Sequence, residues 1–300
     1  MREADLVIAV GYDLVEYSPR NWNRDLKKKI IHIDFTAAEV DTYYPPTVEI
    51  AADIEYTIDA ILEEFRKGGV KRDKREEKLD LGFPRHGIPS VFRKVKQEVV
   101  WRIERYKDDL SYPMKPEKLL CDVRNSLKED DIIISDVGAH KLWIAKVYKT
   151  YSPNTCIITN GFCSMGFALP GAIAIKLARP NQKVVAMCGD GGFLMNVQEL
   201  ETAARLKLPV IVVIWCDSDL GMISLKQLDE FGRSAFTRFN NPDFVKLAES
   251  FGAKGYDVKS SIELRNVLEK TKESIDVPAV ISVNVDYSRN RILLDDDFSG

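Results

Sequence analysis

KVVAMCGDGGFLMNVQELETAARLKLPVIVVIWCDSDLGM, residues Lys183 to Met222, decides the fold. It opens with an apolar run, Lys183–Met187, and breaks on Cys188-Gly189-Asp190-Gly191-Gly192. Helical periodicity follows over Gly192–Leu206, and a second apolar run, Val210–Trp215, closes the stretch. Two short apolar runs joined by a helix form a βαβ unit, because parallel strands need a crossover of this length. In such sheets ligands bind beyond the carboxyl ends of the strands. Here both ends are loaded, the first with Gly189-Asp190-Gly191 and the second with Asp217-Ser218-Asp219-Leu220-Gly221. The glycines permit a tight turn, and the helix that follows presents free N–H groups to an anion. Asp190 has the wrong charge for a phosphate unless a cation lies between them. The pattern therefore points to a Mg²⁺ ion bridging protein carboxylates and diphosphate oxygens. A lone Gly-Asp-Gly is more often a polar turn capping a helix. The two strand ends together are far more specific, since neighbouring parallel strands bring Asp190 and Asp217 to one edge.

The same alternation extends outward from this unit. Helix Glu117–Leu127 leads to strand Ile132–Ser135, and helix Lys141–Lys149 to strand Thr155–Ile158. Helix Met165–Leu177 precedes the opening run. After it come a helix near Pro242–Phe251, a strand near Tyr256, helix Ser261–Thr271 and strand Ala279–Val285. Short apolar strands alternating with helices define an α/β class with a doubly wound parallel sheet.

A Gly-Asp-Gly followed by Asn or Asp 27 positions after its aspartate, at the end of the next strand, is the thiamine-diphosphate motif. From Tyr112 to its end the sequence resembles the enzymes that use this cofactor. The resemblance implies metal ligation by the Asp190 and Asp217 side chains, completed by the Asp219 backbone carbonyl. It implies cofactor contacts from Gly189, Gly191 and Gly192, and from Leu220, Gly221 and Met222 along the pocket. Asp136-Val137-Gly138-Ala139-His140 is similar to the relatives' diphosphate loop, with Val137, Gly138, Ala139 and His140 as contacts. In Asn160-Gly161-Phe162-Cys163-Ser164-Met165-Gly166 the resemblance implies cofactor contacts from Cys163, Ser164 and Met165, of which Met165 matches the bulky apolar residue over which the cofactor bends. The chain departs from the usual Asn-Asn ending of the motif by carrying Cys216-Asp217, and it adds charge at Asp219.

Within these enzymes GDGGFLMNVQELETAARLKLPV, from Gly189, and NPDFVKLAESFGAKGY, from Asn241, look like acetolactate synthases. So do Gly11-Tyr12-Asp13-Leu14-Val15-Glu16-Tyr17 and Ile30-Ile31-His32-Ile33-Asp34, which are similar to the central domain of the catabolic, FAD-free type. The arginine of the FAD-containing type is missing after Gly11, and Lys226 stands where that type has a tryptophan four positions beyond the Met222 match. The resemblance thus implies thiamine diphosphate and Mg²⁺ without FAD, and decarboxylative condensation of two pyruvates to 2-acetolactate and CO₂. The expected division is a partial central domain over 1–65, a linker with a helix over 66–112, and a cofactor-binding domain over 113–300. The family's pyrimidine-binding domain, with its proton-relay glutamate, has no counterpart here, so no catalytic residue is carried over. A homo-oligomer (dimer or tetramer), or a complementary subunit supplying that domain, is the expected partner. Alone the chain should turn over weakly or not at all.

Bulk composition sets the remaining bounds. The 300 residues are 45% hydrophobic and 30% charged with a net charge of −3, suiting about two domains and giving no argument for nucleic acid. The first block has strand-like runs at Leu6–Val10, Lys28–Asp34 and Val48–Ala52 and a helical stretch Ile54–Phe65, too little for a sheet covered on both faces. Lys71–Lys78 is basic, but Asp73, Glu76 and Glu77 interleave it, so it reads as a solvated linker, with a helix near Val91–Tyr106. Five cysteines without C-x-x-C spacing read as reduced thiols, and His32, His86 and His140 lack zinc spacing. No apolar leader or membrane-spanning run is present, and a cytoplasmic location is expected. Three competitors stay open: an NAD(P) oxidoreductase, which lacks its third glycine because Leu194 occupies that place; a non-catalytic or regulatory module of this fold; and a pyruvate oxidase or other carboligase.

Overall fold

The computed structural model describes residues 4–14, 18–68, 101 and 105–290. The chain divides into two compact units, Met1–Arg85 and His86–Gly300. The basic stretch Lys71–Lys78 and almost all of the helix expected near Val91–Tyr106 lie outside the described residues.

The first unit is a three-stranded parallel sheet of β1 (Leu6–Val10), β2 (Lys29–Asp34) and β3 (Val48–Ala51), followed by α1 (Ile54–Lys67). Strand alternation sends Val7, Ala9 and Ile30 into a core with Trp22 and Tyr44. The opposite side of β1 stays open: Leu6, Ile8 and Val10 are 44, 58 and 45% exposed, against 7% for Val7 and Ala9. Asp53 caps α1 by accepting from the Tyr56 N–H at 2.8 Å.

The second unit holds six parallel strands in the order β5-β4-β6-β7-β9-β8. They are β4 (Ile132–Ser135), β5 (Cys156–Ile158), β6 (Val184–Gly189), β7 (Ile211–Cys216), β8 (Lys254–Val258) and β9 (Ala279–Asn284). Helices cover both faces. On one side α2 (Pro116–Ser126), α3 (Ala139–Val147) and α9 (Ser261–Lys272) pack over Ile133, Val185, Met187, Val213 and Ile281. On the other, α4 (Ala168–Ala178), α6 (Glu199–Arg205) and α8 (Phe244–Ser250) pack over Ile134, Ala186, Val212, Ile214 and Val280. Central strands buried on both faces explain the unbroken apolar runs of β6 and β7. The chain steps from β4 outward to β5, then returns past β4 to β6 and continues the other way. That reversal opens a crevice between the ends of β4 and β6, where such sheets take ligands. The ladder pairs Gly189 with Trp215, which fixes the two loaded strand ends side by side.

Three element readings need correction. The single helix expected over Gly192–Leu206 is two, α5 (Asp190–Met195) and α6. Asn196 ends α5, and its side-chain amide donates to the Gly166 carbonyl at 2.9 Å instead of leaving the turn free to continue. The helix expected from Met165 begins only at Ala168, because Gly166 sits at φ +83° with its N–H held by the Asp136 carboxylate at 2.9 Å. A further helix, α7 (Gly221–Phe231), has no counterpart in the sequence reading.

Candidate cofactor and metal site

A cavity of about 380 Å³ opens at the carboxyl ends of β4, β6 and β7. Each strand end contributes one loop. The loop after β4 is drawn in by Asp136, whose buried carboxylate accepts from the N–H groups of Val137 (2.6 Å), Gly166 (2.9 Å) and Ala168 (3.3 Å). This clamps the 160s loop to the end of β4. Burial pushes the Asp136 carboxyl up, while these N–H donors pull the other way.

His140, at the start of α3, is 2% exposed and lies against Trp215, ring centroids 6.1 Å apart. Glycine is required beside it. A β-carbon on Gly138, which sits at φ +151°, would come within 2.9 Å of the imidazole, and one on Gly189 within 3.3 Å. Burial pushes His140 down to about 4, opposed by a hydrogen bond to the Asp136 backbone carbonyl, so the ring is neutral. Its Nε2 is buried with no protein partner, leaving one polar atom for a ligand.

The acidic floor comes from the other two loops. Asp190, 2% exposed, opens α5, and its Oδ2 accepts from the backbone N–H groups of Asp217 (3.1 Å) and Ser218 (2.8 Å) and from Asn241 Nδ2 (2.7 Å). Its Oδ1 accepts from the Gly191 N–H at 2.9 Å. Asp217 Oδ1 accepts from the Asp219 N–H at 3.3 Å, and Asp219 Oδ1 is buried without a protein partner. Burial, then the Asp190 charge and that of Asp219, push the Asp217 carboxyl up to about 7. A carboxylate whose value is raised by the neighbouring Asp190 charge is relieved by a cation, and an oxygen-only donor set suits a hard one. Among the described residues no three His, Cys, Asp or Glu side chains form a complete metal cage. The arrangement instead fits an ion that also takes oxygens from a backbone carbonyl and from its ligand, the role that Mg²⁺ plays with phosphates.

The structure brings together all but two of the residues singled out from the sequence. Val137, Gly138, Ala139 and His140, Met165, Gly189 through Gly192, Asp217, Asp219 and Leu220 through Met222 all line the cavity. Cys163 and Ser164 do not. The Cys163 thiol accepts from Lys141 Nζ at 3.0 Å and donates to the Thr159 carbonyl at 3.2 Å, and the Ser164 hydroxyl donates to the Met165 carbonyl. Asp136, Ser218, Asn241, Trp215 and Tyr287 are site residues that the sequence reading did not select. Tyr287 stacks on Trp215 with centroids 6.2 Å apart and rings 17° from parallel. The Asn240-Asn241-Pro242-Asp243 turn signature marks a loop at Asn241, yet nothing in it announces contact with Asp190.

Comparison with known proteins gives this geometry a family. Residues 136–283 match the model described as thiamine pyrophosphate enzyme, C-terminal TPP binding domain, and residues 1–61 match thiamine pyrophosphate enzyme, central domain. The chain belongs to the thiamine pyrophosphate enzymes. Within them it is similar to acetolactate synthases: 37% identical to the acetolactate synthase of Bacillus subtilis, over 99% of this chain and 49% of that protein. It is 32% identical to the catabolic acetolactate synthase of Raoultella terrigena, over 98% of this chain and 50% of that protein. It is 30% identical to the acetolactate synthase large subunit of Haemophilus influenzae, over 97% of this chain and 49% of that protein. The chain thus spans about half the length of the curated relatives it matches. Among the described residues no helix is long and apolar enough to cross a membrane.

Proposed function

We propose that the chain is the cofactor- and metal-binding portion of an acetolactate synthase of the catabolic, FAD-free type, working in the cytoplasm on pyruvate. The observation that carries this is the meeting of Asp190 and Asp217 beneath the cavity, with the Asp217 N–H 3.1 Å from the Asp190 carboxylate. On this reading residues 1–65 are part of a central domain, 66–112 a linker, and 113–300 the cofactor domain. Asp190, Asp217 and the Asp219 carbonyl hold Mg²⁺. Gly138 to His140 and Gly189 to Gly192 would hold the diphosphate, whose charge a bound ion would offset. Met165 and Leu220 to Met222 form the apolar wall that sets the shape of the bound cofactor, with Cys163 and Ser164 supporting the loop that carries Met165. When bound, thiamine diphosphate supplies the electron sink for decarboxylation and for condensation of two pyruvates to 2-acetolactate.

What these residues do is bind, orient and exclude water. None of them is a candidate for the proton relay to the pyrimidine ring, so turnover needs a pyrimidine-binding portion supplied by another part of a longer protein or by a complementary subunit. Some relatives are named large subunits, which suits an assembly with more than one chain. Calorimetric titration with thiamine diphosphate tests the site, in Mg²⁺ and in EDTA, on the chain and on Asp190→Asn. Binding that requires Mg²⁺ and is lost in the variant is expected. Equal binding in EDTA would remove the metal from the site, and equal binding by the variant would remove Asp190.

A further inference from the structure

We infer that Asn241 is a positioning residue that commits Asp190 to offering a single oxygen, and so biases the site toward a small divalent cation over a larger one. The inference rests on the metal reading above and concerns how that metal is chosen. The two oxygens of Asp190 are unequally engaged. Oδ2 accepts three N–H donors, from Ser218 at 2.8 Å, Asp217 at 3.1 Å and Asn241 Nδ2 at 2.7 Å, whereas Oδ1 accepts only the Gly191 N–H at 2.9 Å. Oδ2 thus carries three donors against one on Oδ1, and the shortest of the three comes from Asn241, so Oδ1 is the atom left for an ion. Ligation by Asp190 is therefore through one oxygen.

That constraint separates ions by size. Mg²⁺ takes six ligands in near-octahedral geometry at about 2.0–2.1 Å, while Ca²⁺ takes six to eight at about 2.3–2.6 Å and readily accepts both oxygens of one carboxylate. Holding Oδ2 away from the ion costs Mg²⁺ nothing and denies Ca²⁺ one ligand.

Two of the three restraining donors are backbone groups at the end of β7, set by the sheet. Asn241 is the one side chain among them. It arrives from a loop tied to the same strand end by Phe239 N–H to Ser218 carbonyl (3.1 Å) and Leu220 N–H to Thr237 carbonyl (2.9 Å). Its amide orientation is fixed on chemical grounds. Nδ2 donates to Asp190 and also to Ser218 Oγ at 3.1 Å, whereas a flipped amide would set a carbonyl oxygen against a carboxylate. Asn241 Oδ1 is buried with no protein partner, so the side chain is held through Nδ2 alone, by Asp190 and Ser218 Oγ.

The test is calorimetry on the full chain with Mg²⁺ and, separately, Ca²⁺, each with saturating thiamine diphosphate, for the unmodified protein, Asn241→Ala and Asn241→Ser. Changing a group that orients a metal ligand typically costs about 10–100-fold in affinity. Asn241→Ala is expected to weaken Mg²⁺ by about tenfold and Ca²⁺ far less, so the Mg²⁺ preference falls. A merely structural role would weaken both ions alike. Asn241→Ser, whose hydroxyl is too short to reach Asp190, gives the same answer if the alanine variant does not fold. An unchanged ratio in the folded variants overturns this inference alone, and failure of the unmodified chain to bind either ion overturns it together with the metal reading.

Discussion

At the residue scale the cavity sets a charge problem and answers it with geometry. His140 is held neutral by burial, with a folded-state value near 4 against about 6.5 when unfolded. A base with a lowered value favours the fold fully above about pH 6.5. Between there and pH 4 the unfolded chain binds the proton and the folded one does not, so stability falls as the pH falls. The span of about 2.5 pH units corresponds to at most about 3.5 kcal/mol at about 1.4 kcal/mol per unit. Urea unfolding at pH 7 and pH 4.5 should therefore show a loss of up to about 2–3 kcal/mol that His140→Gln lacks. Parallel losses in the two proteins would assign the acid sensitivity elsewhere. Asp190 and Asp217 were legible in the sequence because each closes an apolar run and neighbouring strands bring such ends together. Asn241 was not. It lies 51 positions from Asp190 and reaches it through an irregular loop, whose path no periodicity encodes. Cys163 and Ser164 precede Met165 in sequence but do not share its surroundings, because the Cys163 thiol is engaged by Lys141 Nζ and the Thr159 carbonyl and the Ser164 hydroxyl donates to the Met165 carbonyl.

Elements show the same division between repeating pattern and single contacts. Strand runs in the second unit were readable to within a residue or two, since a buried parallel strand must be apolar throughout. The break between α5 and α6 was not, because it depends on one side-chain bond from Asn196 to a distant carbonyl. Helix α7 escaped notice since Ile223, Leu228 and Phe231 are all about half exposed or more, and no clean apolar stripe marks it. Close approach is another contact that sequence hides. Gly255 in β8 lies so near α8 that an added β-carbon would come within 2.6 Å of Val245 Cα and 2.7 Å of its carbonyl oxygen. Those are backbone atoms and cannot turn aside. Gly255→Ala is expected to cost about 1–3 kcal/mol, as overpacking does, and chemical denaturation measures it. A loss below about 0.5 kcal/mol, the range of an unconstrained surface change, would mean that α8 shifts freely on the sheet.

For the whole molecule, the cavity and every residue assigned to the metal belong to the unit His86–Gly300. A fragment of residues 86–300 should therefore bind thiamine diphosphate with Mg²⁺ as the full chain does, which calorimetry on the two side by side would establish. A large loss in the fragment would show that the first unit contributes to binding. That first unit is legible in the sequence as short strands and one helix, but its bare side is not. Alternation alone gives Leu6, Ile8 and Val10 a common face without saying whether anything covers it.

The pairing of Gly189 with Trp215 has a consequence for how such chains tolerate change in length. The distance between Asp190 and Asp217 is measured across the sheet, by the hydrogen-bonded rungs of β6 and β7, and the helices between them are slack in that measurement. Residues gained or lost in the Leu206–Pro209 turn leave the two carboxylates where they are. One residue gained inside β7 moves Asp217 a rung along and turns its side chain to the other face. Deletions and insertions of equal size should thus be silent in the connection and ruinous in the strand, whatever the count of residues between the aspartates.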